Sequence, residues 1–166
     1  MFGFFKKRPP EPKPSEVKPP VDLNTPVENP AVVAAILSFA ADRTPATQDA
    51  LTRALRAANF LVPILTDEMH TTPSGEGKTT IQAGSRIKIL TCSDAAGAVH
   101  LPLFTDWPSI RRWTDQPVST LVMTAKEAFE FGASDNHAGA VVNPGENALP
   151  LNKQLLAYLL NTSEKA

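Results

Sequence analysis

Hydrophobic and polar residues alternate along Gly97–Trp107. Val99, Leu101 and Leu103 are separated by His100 and Pro102, the period of a half-buried strand. The period then changes. Thr105 or Asp106 stands where a helix N-cap belongs, Pro108 falls in the first turn, and Ile110 and Trp113 follow at helical spacing. A strand that feeds a helix within two residues fixes the direction of both, so the neighbouring elements are predicted to pack around this corner.

The same reading runs along the rest of the chain. Asn29-Pro30 opens a predicted helix with Val32, Val33, Ile36, Leu37 and Ala40 as its stripe. A second helix from about Thr47 carries Leu51, Leu55 and Ala58. The short link at Thr44-Pro45 makes the two antiparallel neighbours. Phe60–Leu65 is a strand, and Pro63 in its middle predicts an edge or a bulge. Thr66–Gly84 is polar and predicts a loop. Arg86–Cys92 alternates again, and the turn Ser93–Gly97 predicts its antiparallel pairing with the strand at Val99.

Val118–Met123 is a further strand. Thr124 caps a helix bearing Ala125, Ala128, Phe129 and Phe131, with Glu127 placed as in a capping box. Ala140–Asn143 is a short buried strand ended by Pro144-Gly145. A last helix, about Asn152–Leu160, presents Leu155, Leu156, Leu159 and Leu160. Strands alternate with helices but one hairpin breaks the parallel rule. The prediction is a single α/β (α+β) domain, residues 29–162, with a mixed sheet of about five strands flanked by helices.

Proline separates this domain from what precedes it. Eight of the 16 prolines fall at or before Pro30 among Lys and Glu, so residues 1–28 are expected to be a disordered tail with nothing to bury. Its start differs: Phe2, Phe4 and Phe5 adjoin Lys6, Lys7 and Arg8. Two readings stand side by side, an inert terminus or a tether. As a tether it would make weak contact with an anionic membrane surface, each cation adding on the order of 1 kcal/mol, or would engage a partner.

At 166 residues and 42% hydrophobic content the chain can build one core unaided. A net charge of -1 offers no whole-molecule attraction for nucleic acid. The single cysteine, Cys92, excludes an intramolecular disulfide and fits a reducing compartment. No apolar run nears the roughly 18–20 residues of a membrane span, and no signal-peptide apolar region develops after Phe5. The expected location is the cytoplasm, with the N-terminus at most peripheral to the inner face of a membrane.

Candidate chemistry is sparse. Gly77-Lys78-Thr79 imitates the end of a phosphate-binding loop, but Thr72 occupies the first glycine position and Thr80–Gly84 is a poor helix start. His70, His100, His137 and Cys92 lack the close spacing of metal ligands, so no metal or cofactor is expected. Cys92 has no sequence neighbour that would activate it, and Glu127 and Glu130 read as a solvated helix face. With no nucleophile–base pair in view, the expectation is a protein that is not an enzyme.

What remains is the corner itself. Phe104 and Trp107 can be core with Thr105 and Asp106 capping. Alternatively, Phe104, Thr105, Asp106 and Trp107, with Arg111 and Arg112 a turn on, form a binding patch, since Trp and Arg are enriched at interface hot spots. Asn143, Pro144 and Gly145 form a turn first. Their loop also borders the same corner if the strands at 99–104 and 140–143 are neighbours, making a rim at strand carboxyl ends.

Three pieces in this order carry a resemblance: Leu101-Pro-Leu-Phe-Thr-Asp106 leading to Trp113; the Val118–Phe129 strand–helix unit; and Val141-Val-Asn-Pro-Gly145 with the leucine-rich final helix. Together they resemble the N-terminal domain of the SseB (enhanced serine sensitivity) family over about residues 29–160. Members share a strand end of the form lPvFTs and an iNPgg turn at similar spacing. Full-length members carry a second, C-terminal domain, whereas this chain stops where the first ends. The resemblance implies a small mixed α/β domain without assigned catalytic residues, acting through protein contacts. The expected function is therefore a non-enzymatic interaction module whose partner is another protein. The alternative is a small-ligand or peptide-binding domain using the rim of Phe104–Trp107 and Asn143–Gly145.

Overall fold

Two proline-started helices lead into the first strand. The computed structural model describes residues 26–68, 71–74, 78–81 and 86–161. Helix α1 (Pro30–Ala41) has Pro30 at its start, where a missing N–H costs nothing. Helix α2 (Pro45–Ala57) begins two residues before the predicted point, because Thr44 and Thr47 exchange hydrogen bonds in a capping box. The two pack on each other. The stripe read for α1 is partly wrong: Val32, Ala35 and Ile36 face inward, whereas Leu37 is 49% exposed. Alanines and valines surround this helix, so periodicity cannot choose its inner face.

Strand β1 (Asn59–Glu68) runs past the predicted strand into the segment read as loop. That segment also holds a hairpin of β2 (Thr71–Ser74) and β3 (Lys78–Ile81). Its threonines are polar but β-branched, a β propensity that a reading by polarity passes over. Lys78 accordingly opens a strand and not the helix that a phosphate-binding loop requires.

The predicted Arg86–Cys92 strand is divided. Strand β4 (Arg86–Ile89) pairs with β1, and only β5 (Cys92–Ser93) forms the expected hairpin with β6 (Val99–Leu103). Asp94 builds that turn, its Oδ1 accepting from the N–H groups of Ala96 and Ala98, each at 2.9 Å.

Then follow α3 (Trp107–Trp113), β7 (Ser119–Thr124), α4 (Ala125–Gly132) and β8 (Gly139–Val142). The Thr124–Glu127 capping box of α4 forms as the sequence predicts. Strand β9 (Leu149–Asn152), which sequence reasoning missed, precedes α5 (Lys153–Asn161). Its four residues include Pro150, tolerated because β9 lies at a sheet edge.

The strand orders are β4-β1-β7 and β5-β6-β8-β9, with β2-β3 apart, in place of one sheet of about five strands. Among the described strands only β6 and β8 are parallel, so the fold is a mixed α+β domain. Phe104 joins the two larger sheets by exchanging backbone hydrogen bonds with Leu61, both at 2.9 Å.

Pro63 consequently lies in a central strand, which corrects the edge or bulge expected of it. On its flank β1 passes from Phe104, opposite Leu61, to β4, just after which Leu90 donates its N–H to the Pro63 carbonyl at 3.0 Å. The proline nitrogen faces the gap between those two partners, where an N–H would have none.

The main core gathers one face of this surface under α1, α2, α4 and α5, with Phe60, Val62, Leu101, Leu103, Phe129 and Leu156 at its centre. The other face is smaller: Leu61, Phe104 and Ile110 meet beneath α3, joined by Val27, Trp113, Val118 and Val122. Each such side chain contributes about 1.5–3 kcal/mol when fully buried. Arg56 fastens α2 to the end of α5, donating to the carbonyls of Leu159 at 3.0 Å and Tyr158 at 3.1 Å. Among the described residues, no helix is long and apolar enough to cross a membrane.

Candidate functional site

The corner forms where β6 and β8 end side by side. Parallel pairing sets Leu103 opposite Val142, so the residues leaving both strands emerge together. Asn143 takes a left-handed backbone (φ 48°), which Asn tolerates better than most residues. That turn aims its amide back at the other exit. Asn143 Oδ1 accepts from the Thr105 N–H at 3.0 Å, and Asn143 Nδ2 donates to Thr105 Oγ1 at 2.9 Å. Thr105 Oγ1 donates onward to Asp106 Oδ2 at 3.0 Å. From below, Asn29 Nδ2 donates to the carbonyls of Thr105 and Asn59, at 2.9 and 2.8 Å.

This inner set is closed to solvent. Phe104 and Thr105 are fully buried, Asn143 is 3% exposed, and Pro144 is buried. Phe104 sits 5.3 Å from the Trp113 ring. Their hydrogen bonds are spent on one another, so they act as a latch between two strand ends and leave the surface to other residues.

Asp106, not Thr105, caps α3, its Oδ1 accepting from the Ser109 N–H at 2.8 Å. Burial pushes its carboxyl up, but the hydrogen bonds from Ser109 and Thr105 and the Arg112 charge outweigh that and hold it below its usual range. Glu146 closes the far side of α3. It accepts from Ser109 Oγ and Arg112 Nη2, each at 2.7 Å, and faces Arg112 Nε at 2.6 Å. That guanidinium holds the Glu146 carboxyl below its ordinary value.

Outside the latch and the clamp stand Trp107, 39% exposed, and Arg111, whose guanidinium lies 5.6 Å above the Trp107 ring. A cleft of about 260 Å³ opens beside them, walled by Val27, Glu28, Pro30, Asp106, Trp107 and Pro108. The structure therefore brings all eight sequence-predicted corner residues to one place and divides them. Phe104, Thr105, Asn143 and Pro144 are inside, Asp106 and Arg112 brace α3, and Trp107 and Arg111 face out. The second expected segment, Phe2, Phe4, Phe5, Lys6, Lys7 and Arg8, lies outside the described residues.

Sequence reasoning missed Ser109, Glu146 and Asn29. No local pattern marks the side-chain bonds of Asn29 and the Ser109–Glu146 contact, because those partners are 30 to 76 residues away in the chain. It also read Trp107 as core or patch without deciding; the structure exposes it.

Elsewhere among the described residues, Lys126 and Glu130 form an exposed pair at 3.9 Å, and candidate nucleophiles stand near a histidine at Cys92 and at Ser134. Cys92 lies across from His100, with Sγ 3.7 Å from the His100 carbonyl oxygen, and burial pushes its thiol up and away from the reactive thiolate. His100 Nε2 meets Asp94 Oδ2 at 3.2 Å while its buried Nδ1 has no partner among the described residues. Ser134 Oγ lies 3.2 Å from His137 Nδ1, but the pair closes one turn, and among the described residues no carboxylate orients His137. Burial lowers His137 and favours its neutral form. Among the described residues, no three His, Cys, Asp or Glu side chains are grouped as metal ligands.

No curated protein and no solved structure matches this chain. The family model of the SseB protein N-terminal domain does, over residues 32–158, a span that holds β6, the Thr105–Asn143 latch and the whole of α3. Since that span covers most of the 166 residues, the chain belongs to the SseB family through that family's N-terminal domain.

Proposed function

We propose that this chain is a non-enzymatic protein-interaction module that engages another protein through the Trp107 face of α3. One observation carries the reading: a partly exposed tryptophan, stacked by Arg111, stands on a helix whose two ends are already locked. Rigid Trp and Arg anchors of this kind dominate interface energetics, because little side-chain freedom is lost on binding. The latch and the Arg112–Glu146 clamp supply the rigidity and do not meet the partner.

The test is affinity capture from native extract with the wild-type chain, Trp107→Ala and Arg111→Ala. The expected result is a partner retained by wild type and lost from Trp107→Ala, with the melting temperature unchanged. Equal capture by all three overturns the reading.

The cleft beside Trp107 favours a second reading, a site for a small ligand or a short peptide. At about 260 Å³ it falls just below the roughly 300–1,000 Å³ of ordinary ligand pockets, which is why it ranks second. A rise in melting temperature with a nucleotide or amino acid, abolished by Trp107→Ala, would move it to first.

A further inference from the structure

Among the described residues strand β7 is the edge of its sheet, and it lacks the usual protections of an edge. It pairs with β1 over six unshifted positions without a bulge, and Ser119–Thr124 contains neither charge nor proline. The other edges differ: β4 carries Arg86 and Lys88, β9 carries Pro150, and β5 is two residues long.

Pairing parity identifies the open backbone groups. Leu61 gives its N–H and C=O to Phe104, so Leu61 and Val122 are a non-hydrogen-bonded pair. The N–H and C=O of Thr120 and Val122 therefore point away from β1, and they have no partner among the described residues. Alongside this edge runs a groove of about 600 Å³ between β7 and α4, floored by Leu121, Met123 and Phe131 and bordered by Glu127 and Glu130. An open strand edge facing a helix across an apolar groove is the geometry for adding a strand.

We infer that Met1–Arg8 of this same chain docks in the groove as an added strand along β7. In an extended segment Phe2, Phe4, Lys6 and Arg8 share one face, two aromatics followed by two cations. That order matches the groove, whose apolar floor receives the rings and whose rim offers the cations Glu130, only 3.9 Å from exposed Lys126, and the Oε1 of Glu127, whose Oε2 caps α4.

The reach suffices. Val27, close to the first described residue, packs on the Leu61, Phe104 and Ile110 cluster that Val122 of β7 also joins, so the chain enters the described fold on the sheet face opposite the groove floor of Leu121 and Met123. Residues 9–25 span at most about 60 Å fully extended, ample for the segment to return. Such a tether holds a segment near its site at an effective concentration approaching millimolar, so modest affinity suffices.

Amide hydrogen exchange on the full chain tests this, comparing wild type with a Phe2→Ser/Phe4→Ser variant. Thr120 and Val122 amides should exchange about tenfold or more slowly in wild type, at every protein concentration, while the Val62 amide serves as an unchanged core reference. Glu130→Lys should remove part of that protection, and Lys6→Glu combined with it should return it. Equal exchange in wild type and the serine variant overturns the inference. Protection that grows with protein concentration also overturns it and gives the groove to a second copy of the chain.

Discussion

Asn143 combines two demands that few residues meet together, a left-handed backbone and a side chain that both donates and accepts. Asn143→Ala leaves the Thr105 N–H and Oγ buried with fewer partners and should cost about 2–3 kcal/mol. Asn143→Gly, which relieves the backbone but still loses the hydrogen bonds, should cost less. Urea unfolding of both variants, with unchanged m-value, measures the difference. Gly139 is a second such position: a Cβ there would collide with the Leu151 carbonyl across the β8–β9 pair. Gly139→Ala should therefore destabilise by about 2–3 kcal/mol, seen in the same assay.

Titration acts at this scale too. Asp106 and Glu146 sit below their unfolded values of ~3.9 and ~4.3, so their contribution is complete above those values. It is lost as pH falls through the lower folded values. His137, lowered by burial, contributes fully above its unfolded ~6.5 and loses that contribution as pH drops below it. Stability should thus decline in two acid steps, and His137→Asn should remove the first from a plot of urea midpoint against pH.

At the scale of elements, caps and periods were legible and partners were not. The capping box of α4 could be read from Thr124 and Glu127 because a cap is written within four residues. Thr124→Ala should cost about 1 kcal/mol in thermal or urea unfolding. Strand β6 was equally legible. Its division of labour was not, since Leu101 and Leu103 enter the main core while the next residue, Phe104, turns to the opposite face and bridges to β1. Pro63 shows the limit clearly. A proline inside a strand predicts an edge, and the prediction failed because the gap it needs is made by two other segments meeting β1 from one side. The β2–β3 hairpin and β9 were missed for a related reason: short strands declare themselves through pairing and not through hydrophobicity.

For the whole molecule, the division between a buried latch and an exposed Trp107 is the feature that bears on function. Residues adjacent in the chain, Thr105 and Trp107, have opposite fates because one lies under the Asn143 turn and the other beyond the cap. If the Trp107 face is the interface, Trp107→Ala abolishes capture at wild-type stability. Latch variants such as Asn143→Ala should instead weaken capture only in proportion to unfolding, read by repeating the assay below the melting transition. The β7 groove lies on a different strand edge, so a variant there leaves the Trp107 assay unaffected.

By itself the sequence determined the mixed α/β class, the order of most elements, the strand-to-helix corner and the family. Each of these is stored in periods, caps and turn residues that act over a few positions. Only the tertiary structure decided that Phe104 joins two sheets, that Pro63 is central, that Arg112 meets Glu146 across 34 residues, and that Thr105 meets Asn143 across 38. The physical reason is that burial and hydrogen-bond partnership depend on which distant segments share a space. The apolar character of Phe104 and Trp107 is the same in sequence, and their surroundings made one core and the other surface.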